Sequence, residues 1–484
     1  MRRTFLISVF VSLLIITNII FTGCGQQPRK PEKPNIIFIF ADDQCYQTIH
    51  ALGNTEIKTP ALDKMVEEGV TFTHAYNMGA WGGAVCVASR AMLNSGRFVW
   101  RALEMEKDFK QRAEEGKMWG NLMQEAGYTT YMTGKWHVKV DPAECFNNVV
   151  HVRPGMPNQT PEGYNRPLNE NDTIWLPWHK KYDGYWKDGT HWSEVLKQDA
   201  LAFIDSTAGR DEPFFMYLAF NAPHDPRQSP REFVDMYPLE NISVPESFLP
   251  LYPDKEKIGC GEGLRDEKLA PFPRTEYAVK VNRQEYYAII SHMDHQINQI
   301  LEALKRSGQA DNTYIFFTAD HGLAAGNHGL LGKQNMYDHS IRPPMIVIGP
   351  DIPKNKKVDA DVYLQDIMAT TLELAGIEKP GYVEFSSLLS LAKGTQTKSN
   401  YDAIYGCYTK RQRMIRKDGF KLIAYPEANK VLLFDMVKDP LEINNLADND
   451  KFLAKKKQLF DDLIVLQTEM DDELDLNPLY NSVF

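Results

Sequence analysis

Three short, unbroken apolar runs, each stopping abruptly at acidic or histidine residues, constrain this chain more than any other feature. Asn35-Ile-Ile-Phe-Ile-Phe40 stops at Asp42-Asp43, Pro213 to Phe220 runs into Ala222-Pro223-His224, and Thr313 to Thr318 ends at Asp320-His321. A run of β-branched and aromatic residues with no polar alternation suits a strand buried on both faces, and such strands need helices on either side of a mainly parallel sheet. Ligands of open sheets of this kind bind beyond the carboxyl ends of the strands. Three runs ending in Asp or His therefore point to one shared site.

The intervening segments fit that architecture. Thr59-Pro60 is an N-cap and first-turn signal for a helix through Glu68, closed by Gly69, and Val70 to Ala75 reads as a strand. Ile289, Ile290, Met293, Ile297, Ile300, Leu301 and Leu304 recur at helical spacing within Ala278 to Lys305, which makes that segment a core-facing helix stopped by Gly308. Met345 to Ile348 is a further strand, and Val362 to Ala375 a helix ending at Gly376. From about Tyr401 the texture changes to short strand candidates, Ala403 to Tyr408, Arg413 to Arg416, Phe420 to Ala424 and Val431 to Phe434, followed by a helix from Lys451 to Met470. The chain reads as α/β: a large, mainly parallel sheet flanked by helices over 35–400, and a small antiparallel α+β subdomain over 401–484. Its 484 residues bury a sizeable core, and no internal repeat is visible.

The first residues belong to export rather than to the fold. Arg2 and Arg3 precede the apolar run Phe5 to Phe21, and Gly23-Cys24 follows. This is a secretory signal over 1–23. A small residue before Cys at the end of such a run resembles a bacterial lipobox, in which Cys24 is lipidated and becomes the new N-terminus. The alternative is a transmembrane anchor, but the run is short for a span and ends without basic stop-transfer residues. Residues 24–34, rich in proline and basic side chains, read as a tether. The expected location is outside the cytoplasm, on the periplasmic side or the outer membrane, with lipid as the only membrane contact. Gly25 after Cys24, rather than an acidic residue, resembles the default for outer-membrane sorting in a Gram-negative host.

The formal net charge of −10 and the lack of a long Lys/Arg run argue against a nucleic-acid partner. Cys45, Cys145, Cys260 and Cys407 form no zinc or redox spacing, so free or opportunistically paired thiols are expected.

The most informative stretch is Val85-Cys86-Val87-Ala88-Ser89-Arg90, followed by Leu93 and Ser95-Gly96-Arg97. It resembles the signature of the formylglycine-dependent sulfatases of the alkaline-phosphatase-like superfamily: a Cys or Ser, then x-Pro/Ala-x-Arg, then a Leu-x-x-Gly-Arg tail. Ala88 stands where Pro is commoner, which fits the radical-type anaerobic maturation system of bacteria better than the oxygen-using one. Asp42-Asp43, Thr133-Gly-Lys-Trp-His137, Ala222-Pro-His-Asp-Pro226 and the block from Thr318 to Lys333 match the same family in order, and Phe434 to Ala447 resembles its closing segment.

The resemblance implies hydrolysis of a sulfate ester and assigns roles. Cys86 is oxidised by a maturation enzyme to an aldehyde whose hydrate is the nucleophile. Asp42, Asp43, Asp320 and His321, with residue 86, are expected to hold one calcium ion, since carboxylate oxygens are the ligands calcium prefers. Arg90 steadies the nucleophilic oxygen, and Lys135 and Lys333 grip sulfate oxygens. His224 is expected to protonate the leaving alkoxide, and His137 to take the second hydroxyl's proton. His328, Gln334 and Asn335 fall in the last block but read equally as structural polar groups.

The segment from Trp175 to Trp192 holds six aromatics interleaved with Lys and His. It reads either as a sugar-stacking platform or as a surface loop stapled by its own rings. Arg227 and Arg231 are candidate anion contacts or simple solvated charge. The expected substrate is a sulfated oligosaccharide, a glycosaminoglycan fragment with sulfate on a uronic acid or amino sugar. The rivals are a choline- or aryl-sulfatase, a phosphonate or phosphate-ester hydrolase of the same superfamily, and, in another class, a lipid-anchored binding protein without turnover.

Overall fold

The first apolar run forms strand β1 (Asn35–Ala41), every residue of which is buried, and it lies at the middle of an eight-stranded sheet. The computed structural model describes residues 33–153, 155 and 160–484. The signal segment, Cys24 and the tether up to residue 32 lie outside the described residues. Residues Pro34–Phe484 form one compact unit.

The other strands of the sheet, in chain order, are β2 (Val70–Phe72), β3 (Thr129–Lys135), β4 (Asn148–Arg153), β5 (Phe214–Ala219), β6 (Thr313–Ala319), β7 (Met345–Ile348) and β8 (Lys356–Val358). Their order across the sheet is β8-β2-β7-β6-β1-β5-β3-β4. The block from β6 to β4 is parallel throughout, and β7 runs against both β6 and β2. The sheet is thus mixed and mainly parallel. The three runs ending in Asp or His are β6, β1 and β5, side by side at its centre.

Helices cover both faces. Helix α1 (Pro60–Glu68) begins at Pro60, but Thr59 does not cap it: the Thr59 hydroxyl is spent on Asp63 and on the backbone of His50. The free N–H groups of Ala61 and Leu62 donate instead to the two carboxylate oxygens of Asp294, at 3.0 and 2.8 Å. Asp294 belongs to the 31-residue helix α4 (Glu276–Arg306), which buries Ile289, Ile290, Met293, Ile297, Ile300 and Leu304 as its spacing requires. Between them in the chain lie α2 (Val85–Ser95) and α3 (Trp192–Thr207).

Two expected elements divide. Val70 to Ala75 splits into β2 and a separate pair of residues, Ala75–Tyr76, and the expected helix from Val362 begins only at Asp366, as α5 (Asp366–Leu374). Val362 and Tyr363 are extended instead and pair in parallel with Ala75 and Tyr76. The Asp366 carboxylate holds this corner by accepting from the backbone of Tyr363 and Ser386.

The C-terminal strands β9 (Ile404–Tyr408), β10 (Gln412–Lys417), β11 (Phe420–Tyr425) and β12 (Lys430–Asp435) form an antiparallel meander, followed by α6 (Leu453–Glu469). A fifth strand, Gly79–Ala80, joins this sheet beside β9. Cys45, Cys86, Cys145, Cys260 and Cys407 are buried and free. Among the described residues no helix is long and apolar enough to cross a membrane.

Candidate active site

The register of two parallel strands builds the anionic part of the site. Ala41 of β1 pairs with Ala319 of β6, so the residues that follow, Asp42-Asp43 and Asp320-His321, leave the sheet next to one another. Asp43 has φ 70°, a left-handed conformation that Asp tolerates, and its N–H donates to Asp320 Oδ1 at 3.2 Å. One ligating atom from each of Asp42, Asp43, Cys86, Asp320 and His321 lies within 4.8 Å of all the others, and all five residues are buried.

Cys86 enters this group from the N-terminal turn of α2. That helix is buried along almost its whole length, and its polar residues close onto it: Asn94 and Ser95 donate to the carbonyls of Arg90 and Ala91. Its stop explains the Leu-x-x-Gly-Arg tail. Gly96 has φ 71°, its N–H donates to the Met92 carbonyl, and a Cβ there would sit 3.0 Å from Val383 and 3.2 Å from Met368. The Cys86 sulfur lies 3.5 Å from Asp42 Oδ1, 3.9 Å from Asp43 Oδ1, 3.3 Å from His321 Nε2 and 3.4 Å from Lys333 Nζ.

Four buried cations meet the carboxylates. Arg90, one turn after Cys86, donates from Nε to Asp320 Oδ2 at 3.0 Å and from Nη1 to the Lys135 carbonyl at 2.6 Å, with its guanidinium over the Phe40 ring. Lys135 ends β3 and donates to Asp42 Oδ2. The glycine before it is obligatory: at φ 93°, Gly134 packs so closely on β5 that a Cβ would lie 1.9 Å from the Ala219 carbonyl oxygen. Lys333 donates to both carboxylate oxygens of Asp43, at 2.9 and 2.8 Å. His321 Nε2 is 3.2 Å from Asp43 Oδ1 and 3.4 Å from Asp320 Oδ1.

Charge governs the titration of the group. Burial raises the Asp42 carboxyl well above the ordinary carboxylate range, and Asp320, Cys86 and Asp43 add to it against the pull of Lys135. Burial opposes ionisation of the Cys86 thiol too, but Lys135, Lys333 and His321 outweigh it and hold the thiol well below its usual range. Burial disfavours charge on His321, yet Asp320, Asp43 and Cys86 hold the imidazole up to about 9. The carboxylates that favour a proton on this imidazole favour a cation at the same place. The donor set, three carboxylates with one imidazole and one adjustable side chain, fits a hard divalent ion.

The other two predicted histidines join the group differently. His224 Nε2 is 3.1 Å from Lys333 Nζ and 3.7 Å from Asp43 Oδ2. His137, just past the end of β3, interacts with the Cys86 thiol; burial lowers its basicity, and its Nδ1 is buried without a partner among the described residues. The structure therefore gathers Asp42, Asp43, Cys86, Arg90, Lys135, His137, His224, Asp320, His321 and Lys333 in one place.

Asp225 falls inside a motif block without having been singled out, and Asp266, Tyr164 and Arg265 lie outside every block. Asp225 and Asp266 are buried beside His224 and Lys333, and Tyr164 and Arg265 reach the same carboxylates. Burial resists ionisation of Asp225, but Arg265, His224 and Lys333 hold it well below the ordinary range. His328 stacks on Tyr337 and contacts the Glu442 carbonyl, while Gln334 donates to Gly83 and Asp266. These are structural bonds.

The aromatic segment resolves as a stapled loop. Trp175 stacks on Tyr182 with centroids 4.8 Å apart and takes Arg166 at 4.9 Å, Trp186 takes Lys180 at 4.9 Å, and Trp192 takes Arg153 and Lys187 at 4.9 and 5.4 Å. Lys180 and Lys187 from within the segment, and Arg153 and Arg166 from outside it, each lie over one of these rings. Arg231 is exposed and pairs with Asp235, whereas Arg227 is buried over Tyr286 and donates to Asn282.

A family model described as Sulfatase matches residues 34–377, and a second, N-sulphoglucosamine sulphohydrolase, C-terminal, matches 326–469. The N-acetylglucosamine-6-O-sulfatase of Bacteroides thetaiotaomicron is 25% identical over 541 residues, covering 95% of this chain and 91% of its own. A solved structure in complex with its substrate D-glucosamine-2-N,6-O-disulfate superposes with a TM-score of 0.66 at 22% identity, covering 91% of this chain and 99% of that one. The phosphonate monoester hydrolase of Silicibacter pomeroyi superposes with a TM-score of 0.70 at 19% identity, covering 91% and 96%.

Arg90 bridges Asp320 and the Lys135 backbone while wholly buried. Replacing it with Met leaves Asp320 without its guanidinium, so Arg90→Met is expected to lower stability by about 3–5 kcal/mol in denaturant unfolding and to remove turnover. An unchanged unfolding midpoint would show that the bridge is not what holds the corner.

Proposed function

The chain belongs to the sulfatase family and is a sulfuric ester hydrolase, and on that premise we propose that its substrate is a sulfate ester on a carbohydrate, a short glycosaminoglycan fragment sulfated on a uronic acid or amino sugar. The observation that carries the reading is the group around Cys86: three buried carboxylates, two lysines, an arginine and three histidines in one cluster at the strand ends. A binding protein has no need to gather an easily ionised Cys with this set. The sugar reading is supported by the named substrates of the amino-sugar sulfatases it resembles. The net charge of −10 gives no long-range attraction for a polyanion, which favours a fragment bound locally over a polymer.

In this reading Cys86 is oxidised to formylglycine by a maturation enzyme, and the aldehyde hydrate supplies an oxygen nucleophile where the thiol stands. Calcium held by Asp42, Asp43, Asp320 and His321, with the side chain at 86, supplies a fixed positive charge for sulfate oxygens. Lys135 and Lys333 add point charges on either side of residue 86, and Arg90 keeps Asp320 and the end of β3 in place. The N-terminal turn of α2 adds its positive dipole end. His224 gives a proton from Nε2 to the departing sugar oxygen, and His137 takes the proton of the second hydroxyl at residue 86.

We further place the protein outside the cytoplasm, anchored through lipid on Cys24 and facing the periplasm. The part from 35 to 400 is assigned the chemistry and the part from 401 to 484 the support of its far wall.

Metal analysis of the purified protein is expected to find one calcium per chain, bound also by the Cys86→Ala variant, which should be folded and without turnover; stoichiometric zinc in place of calcium would overturn the assignment. Mass spectrometry of the peptide containing residue 86 should show the aldehyde.

Turnover on sulfated glycosaminoglycan disaccharides is expected to exceed that on choline sulfate, an aryl sulfate and a phenylphosphonate ester. A clear preference for any of the last three defeats the carbohydrate reading.

A Cys24→Ser variant should leave the membrane fraction and appear in soluble form, and continued retention would count against the lipid.

A further inference from the structure

We infer that Asp225 is the positioning residue for His224, held in turn by Tyr164 and Arg265; the inference rests on the reading of His224 as the acid for the leaving oxygen. His224 Nδ1 lies 2.7 Å from the Asp225 carbonyl oxygen and 3.2 Å from Asp225 Oδ1. The carbonyl accepts a hydrogen bond, so Nδ1 carries a hydrogen, and the ring is pinned with Nε2 turned to Lys333 and Asp43. The carbonyl alone would fix the tautomer. The carboxylate adds a negative charge facing the ring, 3.2 Å from Nδ1 as an ion-pair contact.

Asp225 is itself held from two directions. Its Oδ2 accepts from the Tyr164 hydroxyl, and its Oδ1 lies 3.5 Å from Arg265 Nη2. Arg265 Nε donates to Asp266 Oδ1 at 2.8 Å, Asp266 Oδ2 lies 3.8 Å from Lys333 Nζ, and Lys333 Nζ returns to His224 Nε2 at 3.1 Å. The five side chains form a closed circuit of hydrogen-bond and ion-pair contacts drawn from three distant stretches of chain. Asp225, Asp266, His224 and Lys333 are buried, and Arg265 alone is partly open to solvent, at 40%. Holding a buried carboxylate requires such pairing, and this pairing keeps the imidazole against Lys333, whose ammonium also meets the Cys86 sulfur.

A general acid matters most when the leaving group is poor, which separates a role through His224 from a merely structural one. The experiment measures kcat/KM for phenyl sulfates of graded leaving-group acidity, from 4-nitrophenyl to unsubstituted phenyl sulfate. Wild type is compared with His224→Gln, Asp225→Asn, Tyr164→Phe and the double variant His224→Gln/Asp225→Asn. Asp225→Asn keeps the shape and removes the charge. It is expected to lose little on 4-nitrophenyl sulfate and on the order of 100-fold on phenyl sulfate, with the same steepening as His224→Gln and no further loss in the double variant. Tyr164→Phe should steepen in the same sense by about 3- to 10-fold, and it decides the matter should Asp225→Asn not fold. A steep His224→Gln series beside flat Asp225→Asn and Tyr164→Phe series, or additive losses in the double variant, overturns the positioning role alone. A flat His224→Gln series overturns the acid reading and this inference with it.

Discussion

Three carboxylates brought together at the ends of two adjacent parallel strands repel one another, and everything around them is arranged to make that tolerable. At 4 Å, in surroundings of intermediate polarity, each such pair costs on the order of 4 kcal/mol, and burial removes the water that would screen it. Asp42, Asp43 and Asp320 are nonetheless fully buried. Each has its own cation: Lys135 on Asp42, Lys333 on Asp43 and Arg90 on Asp320. The compensation comes from three different elements, the end of β3, the loop after Gly332 and helix α2, so the corner cannot form until all three have docked.

The same cations explain why the centre suits an anionic ester. They are fixed by carboxylates before any ligand arrives, so little reorganisation is needed when negative charge enters. Lys333 shows the economy of the arrangement, since its ammonium touches Asp43, the Cys86 sulfur and His224 at once. The Asp43 carboxylate, the Cys86 sulfur and the His224 imidazole are thereby held to a single point charge.

What could be read from the sequence was what is local. Apolar runs that stop at Asp42, His224 and Asp320 announce both strands and site, because a doubly buried strand leaves no polar residue until it exits the sheet. Gly96 and Gly134 likewise sit where only glycine fits, and both fall inside the motif blocks. The rest depends on partners far along the chain. Asp294 caps α1 where Thr59 had the local credentials, and nothing near Asp294 announces it. Val362 and Tyr363 are extended because Ala75 and Tyr76 lie ready to pair with them. Asp266 sits in a charged loop whose neighbours look alike, and only the fold brings it to Lys333. For the segment from Trp175 to Trp192 the composition was informative but incomplete: the lysines between the rings were visible, yet that they cover the ring faces is a fact of packing.

The C-terminal sheet belongs to this same construction. Gly79–Ala80 pairs with β9 a few residues before α2 begins, so the approach of Cys86 to the carboxylates is set from that side. Gln412 of β10 donates to the Gln334 carbonyl, directly after Lys333, and Lys421 of β11 donates to the Met336 carbonyl and to Asp338. The loop that carries Lys333 is therefore stitched to two strands of the small sheet, with the buried Glu442 closing the junction by accepting from Lys421 and from the Asp338 backbone. The two family models overlap over 326–377, the stretch that begins with this loop. The thiol and the lysine that faces it both approach under the control of a sheet that contributes no side chain to the centre itself, and its removal would unpin them even with every site residue intact.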